Sequence, residues 1–249
     1  MKITVLGAGT CIPHENFSTA GYLVMLDGFP LLLDAGPGTI ARMAAHGVSY
    51  QELDVVLITH LHPDHVLDLL TLLQANNATP GWSRQKSLTI IGCQGIQTFL
   101  EAQFRLFDGL EPETYSLKIY EMGAELINFE SWNVTSVFSM HTPASLAYRI
   151  SHQGKALVYS GDAASPDNLT HLAREASLLL CECSLPRGWE TADHLSPQQI
   201  GILAQKARVE RVVLTHRYPQ SIEADVVSDV KAYFDGEVMA AIDGWSTEV

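Results

Sequence analysis

The chain has 249 residues, 47% hydrophobic and 17% charged, which leaves ample material for a buried core and argues against disorder. Fifteen Lys and Arg against 28 Asp and Glu give a formal net charge of -13, so the basic footprint of a protein that grips a long nucleic acid is missing. Bound cations would offset that charge locally, which keeps a small anionic substrate in play.

In chain order, KITVLG (2–7) reads as a strand. AGYLVML (20–26) and PLLLDAG (30–36) are apolar runs separated by Asp27-Gly28, a hairpin signal. Pro37-Gly38 opens an amphipathic helix that runs to about Gly47. DVVLITH (54–60) has the pattern of a buried strand, and HVLDLLTLLQ (65–74) has apolar residues at helical spacing. SLTIIG (87–92) followed by 95–107 repeats strand then helix, and 115–160 reads as mostly β, with segments ending at His141 and Asp162. The remainder alternates strand 177–183, helix 196–207, strand 211–216, helix 221–234 and a short strand near Glu237–Ala240. The first half holds LLLDAG then VVLITH, and the second holds LVYSGD then VVLTH. Two similar β-rich halves with helices predict an α+β arrangement of two sheets face to face, helices outside. With no linker or low-complexity segment, one domain over residues 1–249 is expected.

The N-terminal MKITVLGAGT is too short an apolar run for a signal peptide, and no apolar stretch approaches the roughly 20 residues that span a bilayer. Cys11, Cys93, Cys181 and Cys183 form no framework. Cys181 and Cys183, two apart in LLLCECSL, would share one face of a strand as reduced core thiols, and a cytoplasmic home follows. A CxC metal site is the weaker alternative without a second pair.

The chemistry concentrates at His60, His62, Asp64 and His65, four potential ligands within six residues directly after an apolar strand. Imidazole and carboxylate suit borderline divalent ions such as zinc. A turn leaving a strand can aim such donors at one point, two serving one ion and two a second. Residues at strand ends are also the usual address of function on a rigid scaffold.

T-H-x-H-x-D-H after a hydrophobic strand resembles the metallo-β-lactamase superfamily. The later residues follow that family's order: a lone His141, Asp162 in YSGDAA, and His216 in VVLTH. The resemblance covers essentially the whole chain and implies an αββα four-layer sandwich with two metals in a cleft at one edge of the sheets. Carried onto this chain, it implies that His60, His62 and His141 bind one ion. Asp64, His65 and His216 then bind the other, and Asp162 bridges them. Histidine at the second motif position favours zinc, where diiron members carry glutamate; manganese and iron are the other candidate occupants. A metal-bridging hydroxide is then the nucleophile, with Asp64 as both ligand and proton-steering base. Asp34 in LLLDAG reads either as a residue holding a metal-bound histidine or as a strand-ending turn former.

The branch of the family is read from the leaving-group side. Ala192-Asp193-His194-Leu195-Ser196 is similar to a segment of the ribonuclease Z branch in which a histidine assists at the scissile phosphate. That resemblance implies His194 as general acid and Ser196 as the N-cap of the next helix. Thr215-His216-Arg217-Tyr218 resembles the end of the same branch, which makes Arg217 a candidate phosphate ligand. The opening LGAGTCIPHENFST is similar to the start of that branch, with His14 reading either as a residue of the cleft rim or as a solvated loop histidine. The branch's long tRNA-clamping arm is absent between His141 and Asp162, where only a strand pair with a turn at Gln153-Gly154 fits, which speaks against tRNA as substrate. The expected activity is a zinc-dependent phosphodiesterase acting on a small anionic substrate. The alternative is a lactonase or thioesterase acting on a carboxylic ester, and a scaffold without chemistry is the third reading. No membrane partner is expected, and the resemblance implies a homodimer. Trp82 and Phe104–Leu110 read as core, lid or interface.

Overall fold

A computed structural model describes residues 1–249. In the first sheet, β1 (Lys2–Gly7), β2 (Gly21–Leu26) and β3 (Phe29–Ala35) run antiparallel, with a turn at Asp27–Gly28. Helix α1 (Thr39–Ala45) leads to β4 (Val55–Ile58), which lies parallel to β3. Helices α2 (Pro63–Val66) and α3 (Asp68–Ala78) follow, then β5 (Leu88–Gly92), α4 (Ile96–Leu106) and β6 (Leu117–Glu121), both strands continuing the parallel run.

The second sheet inverts this plan. Strands β7 (Leu126–Asn128), β8 (Trp132–Phe138), β9 (Leu146–His152) and β10 (Lys155–Tyr159) are antiparallel. They are followed by α5 (Pro166–Leu172), β11 (Leu178–Glu182), α6 (Pro197–Ala207), β12 (Arg211–Thr215), α7 (Pro219–Glu223), α8 (Val226–Lys231) and β13 (Glu237–Ala240), whose strands extend the sheet in parallel. The chain then returns to the first sheet as β14 (Ser246–Glu248), antiparallel to β1. The two seven-stranded orders are β14-β1-β2-β3-β4-β5-β6 and β13-β12-β11-β10-β9-β8-β7.

Side-chain alternation builds the layers, because successive residues of a strand face opposite sides. Leu31, Leu33, Val55 and Leu57 meet Leu157, Tyr159, Leu178, Leu180 and Val213 between the sheets. Leu32, Val56 and Ile90 face outward beneath α1, α3 and α4. Val158, Leu179, Cys181, Val212 and Leu214 face outward beneath α5, α6 and α8. The strands are thus covered on both faces, which is why they read as continuous apolar runs. The architecture is the αββα sandwich of the metallo-β-lactamase fold. Cys181 and Cys183 share the outward-facing cluster, and all four cysteines are free thiols. No helix is long and apolar enough to cross a membrane.

Three details depart from the sequence reading. The stretch expected to form a helix from 221 to 234 breaks into α7 and α8, because Ala224 is extended and Asp225 caps the second helix by accepting from the Ser228 amide. The helix expected over 65–74 begins at Pro63 and continues to Ala78 in two pieces. Strand β14 was not foreseen, since three polar residues carry no apolar alternation and exist as a strand only through pairing with β1.

Candidate active site

The ends of β3, β4, β10, β11 and β12 meet at one edge of the sandwich. Asp34 closes β3, the motif follows β4, Asp162 follows β10, Glu182 ends β11 and His216 follows β12. His141 arrives on the loop after β8, and His194 on the loop before α6. Several of these positions are conformationally forced. Asp34, Met140 and His216 have φ of 53°, 67° and 49°, a region that costs a residue other than glycine about 1–3 kcal/mol and collects at functional sites. Gly161 has φ of 55°, and a Cβ there would lie 2.9 Å from the Thr59 side chain. At Gly36 a Cβ would come within 2.1 Å of the Asp64 carbonyl oxygen, so the motif turn packs against bare backbone.

All seven residues expected around the metals come together in two donor groups, His60, His62, His141 and Asp162 in one, Asp64, His65 and His216 in the other. In the first, His62 Nδ1 lies 3.0 Å from His60 Nε2 and 3.3 Å from His141 Nε2. In the second, His216 Nε2 lies 3.2 Å from His65 Nε2 and 3.4 Å from Asp64 Oδ2. Asp162 stands between them. Its Oδ2 is 3.7 Å from His141 Nε2 and 3.9 Å from His60 Nε2, while Oδ1 is 3.4 Å from His65 Nε2 and 3.2 Å from His216 Nδ1.

Four of the imidazoles have one ring nitrogen tied to the protein, leaving the other for the donor group. His60 Nδ1 pairs with Thr59 Oγ1 at 3.0 Å, and His65 Nδ1 donates to Asp34 Oδ2 at 2.7 Å. His141 Nδ1 donates to the Asp193 carbonyl oxygen at 2.8 Å, and His216 Nδ1 pairs with Ser184 Oγ at 3.1 Å. Such outer partners fix tautomer and ring orientation at metal sites. Asp34 is fully buried and also accepts from the Thr59 amide and hydroxyl and from the Tyr159 hydroxyl. Of its two readings, the structure places it behind His65.

The donor set fits divalent cations. Asp162 Oδ1 is buried with no hydrogen-bond partner, which costs free energy unless a cation or another donor satisfies it. Imidazole nitrogens facing one another at 3.0–3.3 Å cannot all donate and accept, but can all point at a cation. Burial, followed by the charges of neighbouring histidines, pulls His60 well below the usual histidine range, which favours the neutral, ligating form. Burial pushes the Asp64 carboxyl up, but the His216 hydrogen bond and the charges of His65 and His216 outweigh it and bring it to about 2.

His194 lines the cleft, its ring centroid 4.8 Å from that of His141. Its Nδ1 donates to Glu182, 2.8 Å from Oε2 and 3.0 Å from Oε1. Glu182 is fully buried and accepts also from the Ala163 amide and the Ser184 hydroxyl. Burial pulls the His194 pKa down, but the hydrogen bond and charge of Glu182, helped by Asp162 and Asp193, raise it to about 9. Sequence reasoning missed Glu182. The available signal was a carboxylate inside the apolar run LLLCECSL, a placement almost never left unpaired.

Arg217 is not brought to the cleft. Its guanidinium is buried, Nη2 donating to the Ala241 carbonyl oxygen at 3.0 Å and the charged carbon lying 5.3 Å from the Phe17 ring centroid. Neither a phosphate ligand nor a surface ion pair, the two readings its sequence position offers, results: the side chain turns inward, and its amide donates to the Ala8 carbonyl oxygen. His14 packs edge-on against Phe17 and does not line the cavity. The cavity, of about 290 Å³, is walled by His62, Asp64, His141, Asp162, His194, Pro63, Cys11 and Tyr218.

The family described as Beta-lactamase superfamily domain matches residues 30–217. Among curated proteins, the chain is 26% identical to a probable metallo-hydrolase, YhfI of Bacillus subtilis, over the full length of both. It is 24% identical to ribonuclease Z of Methanothermobacter thermautotrophicus, covering 87% of this chain and 86% of that protein. Among solved structures, YhfI superposes with a TM-score of 0.87 at 24% identity, over 100% of this chain and 98% of that one. The short form of human tRNase Z gives 0.81 at 21% identity, over 100% and 99%.

Proposed function

The chain belongs to the beta-lactamase superfamily and is a metal-dependent hydrolase, and from that premise we propose a binuclear zinc enzyme that cleaves small phosphodiesters, acting as one domain. The observation that carries this reading is the Glu182–His194 pair on the wall of the donor cluster. A phosphodiester expels an alkoxide, a poor leaving group that needs a proton, and a histidine held protonated at neutral pH supplies one. A thioester expels a thiolate, which leaves without that help. The ribonuclease Z relative supports the same chemistry.

His60, His62 and His141 would hold one ion and Asp64, His65 and His216 the other, with Asp162 shared. Five imidazoles and two carboxylates suit zinc. When bound, such a pair of ions makes a water nucleophilic near neutral pH and polarises the phosphoryl group. Asp64, ionised at any physiological pH, accepts a hydrogen bond from the attacking water and orients it. Glu182 fixes the tautomer and direction of His194, which passes its other ring proton to the departing oxygen. Asp34 and Ser184 keep His65 and His216 aimed while charge moves.

Between His141 and Asp162 the chain forms only β9, the Gln153–Gly154 turn and β10. With the acidic balance, that supports a small substrate rather than tRNA. Leu106 and Phe107, exposed at the end of α4 beside Leu70, support a homodimer, which light scattering tests. The activity is tested with chromogenic phosphodiesters, phosphomonoesters, lactones and thioesters offered to the zinc and manganese forms. Diesters turned over fastest are expected, and lactone or thioester preference overturns the reading.

A further inference from the structure

The cleft holds a side chain without a role in the chemistry above. Besides four metal-ligand candidates and His194, its wall contains Cys11, Pro63 and Tyr218, and no lysine or arginine. Arg217, the cation nearest in sequence, is committed to Ala241 and Phe17. Tyr218 follows it and takes the cleft position instead. The Tyr218 backbone is extended, with φ of -67° and ψ of 161°, and its amide donates to the Ser184 carbonyl oxygen at 3.1 Å. The ring stands 6.2 Å from both His194 and His216, centroid to centroid, and those two rings are 6.3 Å apart, so Tyr218 forms the third corner of a triangle with the proposed acid and a proposed ligand. It is nearly perpendicular to His216, at 85°, so the two rings brace each other edge to face.

The Tyr218 hydroxyl has one polar neighbour, the Cys11 thiol at 3.7 Å. Sulfur is a weak partner for a phenol, and the contact is long, so a strong donor remains available at the mouth of the cleft. We propose that Tyr218 is a substrate-contacting residue whose hydroxyl donates to a non-bridging phosphoryl oxygen, where an arginine would otherwise bind. This rests on the phosphodiesterase reading.

A choice of substrate charge follows. An arginine in that position would supply a fixed positive charge for a dianionic phosphomonoester or a second phosphate. A phenol supplies a hydrogen bond and no charge. A diester, with one negative charge, loses little by the exchange. A monoester keeps its second charge facing an acidic protein whose one cationic side chain in the cleft, His194, is already turned to the leaving group. Tyr218 therefore favours diesters over monoesters.

The test uses zinc-loaded full-length protein, with bis(4-nitrophenyl) phosphate as diester, 4-nitrophenyl phosphate as monoester and dimethyl phosphate as an unreactive competitor. Tyr218→Phe keeps the ring and removes only the hydroxyl. It is expected to raise the diester KM and the dimethyl phosphate inhibition constant about five-fold, in the range of one lost hydrogen bond, with metal content unchanged. Tyr218→Arg is expected to raise the monoester-to-diester ratio of kcat/KM at least ten-fold. The contact is overturned if Tyr218→Phe matches wild type in both constants, or if it loses metal, which would make Tyr218 a structural support. The charge argument is overturned if Tyr218→Arg leaves the ratio unchanged. A wild type that hydrolyses lactones or thioesters but no diester overturns the phosphodiesterase reading and this contact with it.

Discussion

Glu182 and His194 are joined across the end of β11, imidazole Nδ1 to carboxylate Oε2 at 2.8 Å, with the carboxylate fully buried and the imidazole on the cleft wall. A buried carboxylate that accepts from an amide, a hydroxyl and an imidazole at once has its lone pairs matched and little freedom to move. The imidazole gains both an orientation and a proton.

If that proton goes to the leaving group, His194→Ala lowers kcat for phosphodiesters by at least ~10²-fold. The loss is larger for a diester with an alkyl alcohol as leaving group than for one that releases nitrophenolate, which departs without a proton. Equal losses on the two would show that His194 acts other than as an acid.

The pH dependence follows from the same pair. A general acid works while protonated; burial lowers the His194 pKa, but Glu182, helped by Asp162 and Asp193, outweighs it and raises the value from the histidine reference of 6.5 to about 9. The rate therefore falls as pH rises through about 9. Glu182→Gln removes the carboxylate charge and leaves burial, which pulls the other way. The alkaline limb of kcat should move down by more than one pH unit, and a limb that stays in place refutes the coupling.

Asp34 has the corresponding part on the ligand side, holding His65 Nδ1 at 2.7 Å. Asn tolerates the left-handed backbone at this position, so Asp34→Asn isolates the carboxylate from the fold. Zinc affinity, measured against a chromogenic chelator, should fall ~10–100-fold. Unchanged affinity would reduce Asp34 to a turn former.

Gly161 tests how the backbone presents Asp162. A methyl group there combines positive φ with a 2.9 Å approach to Thr59. Gly161→Ala should cost about 1–3 kcal/mol in denaturant unfolding and weaken zinc binding together with it. Normal stability and normal zinc binding would mean that the loop relaxes without moving Asp162.

Much of this was legible in the sequence because of how its parts are stabilised. Doubly covered strands must be apolar throughout, so LLLDAG, DVVLITH and RVVLTH announce themselves. The motif from His60 to His65 is dense enough to stand out alone, and His141, Asp162 and His216 follow at strand ends. Local spacing says nothing, however, about which way a side chain turns beyond a strand end. Arg217 and Tyr218 are neighbours, and only the packing of Phe17 and Ala241 decides that the arginine goes inward and the phenol outward. Glu182 was hidden because its partner is twelve residues away across a loop. β14 was hidden because a three-residue polar edge strand is made by its neighbour.

On the reading proposed above, two ions share the cluster through Asp162. Metal analysis by mass spectrometry of the protein, reconstituted with excess zinc and freed of unbound ion, measures this directly. Two zinc ions per chain are expected in the wild type, and fewer in Asp162→Ala. Less than one ion per chain in the reconstituted wild type would contradict it.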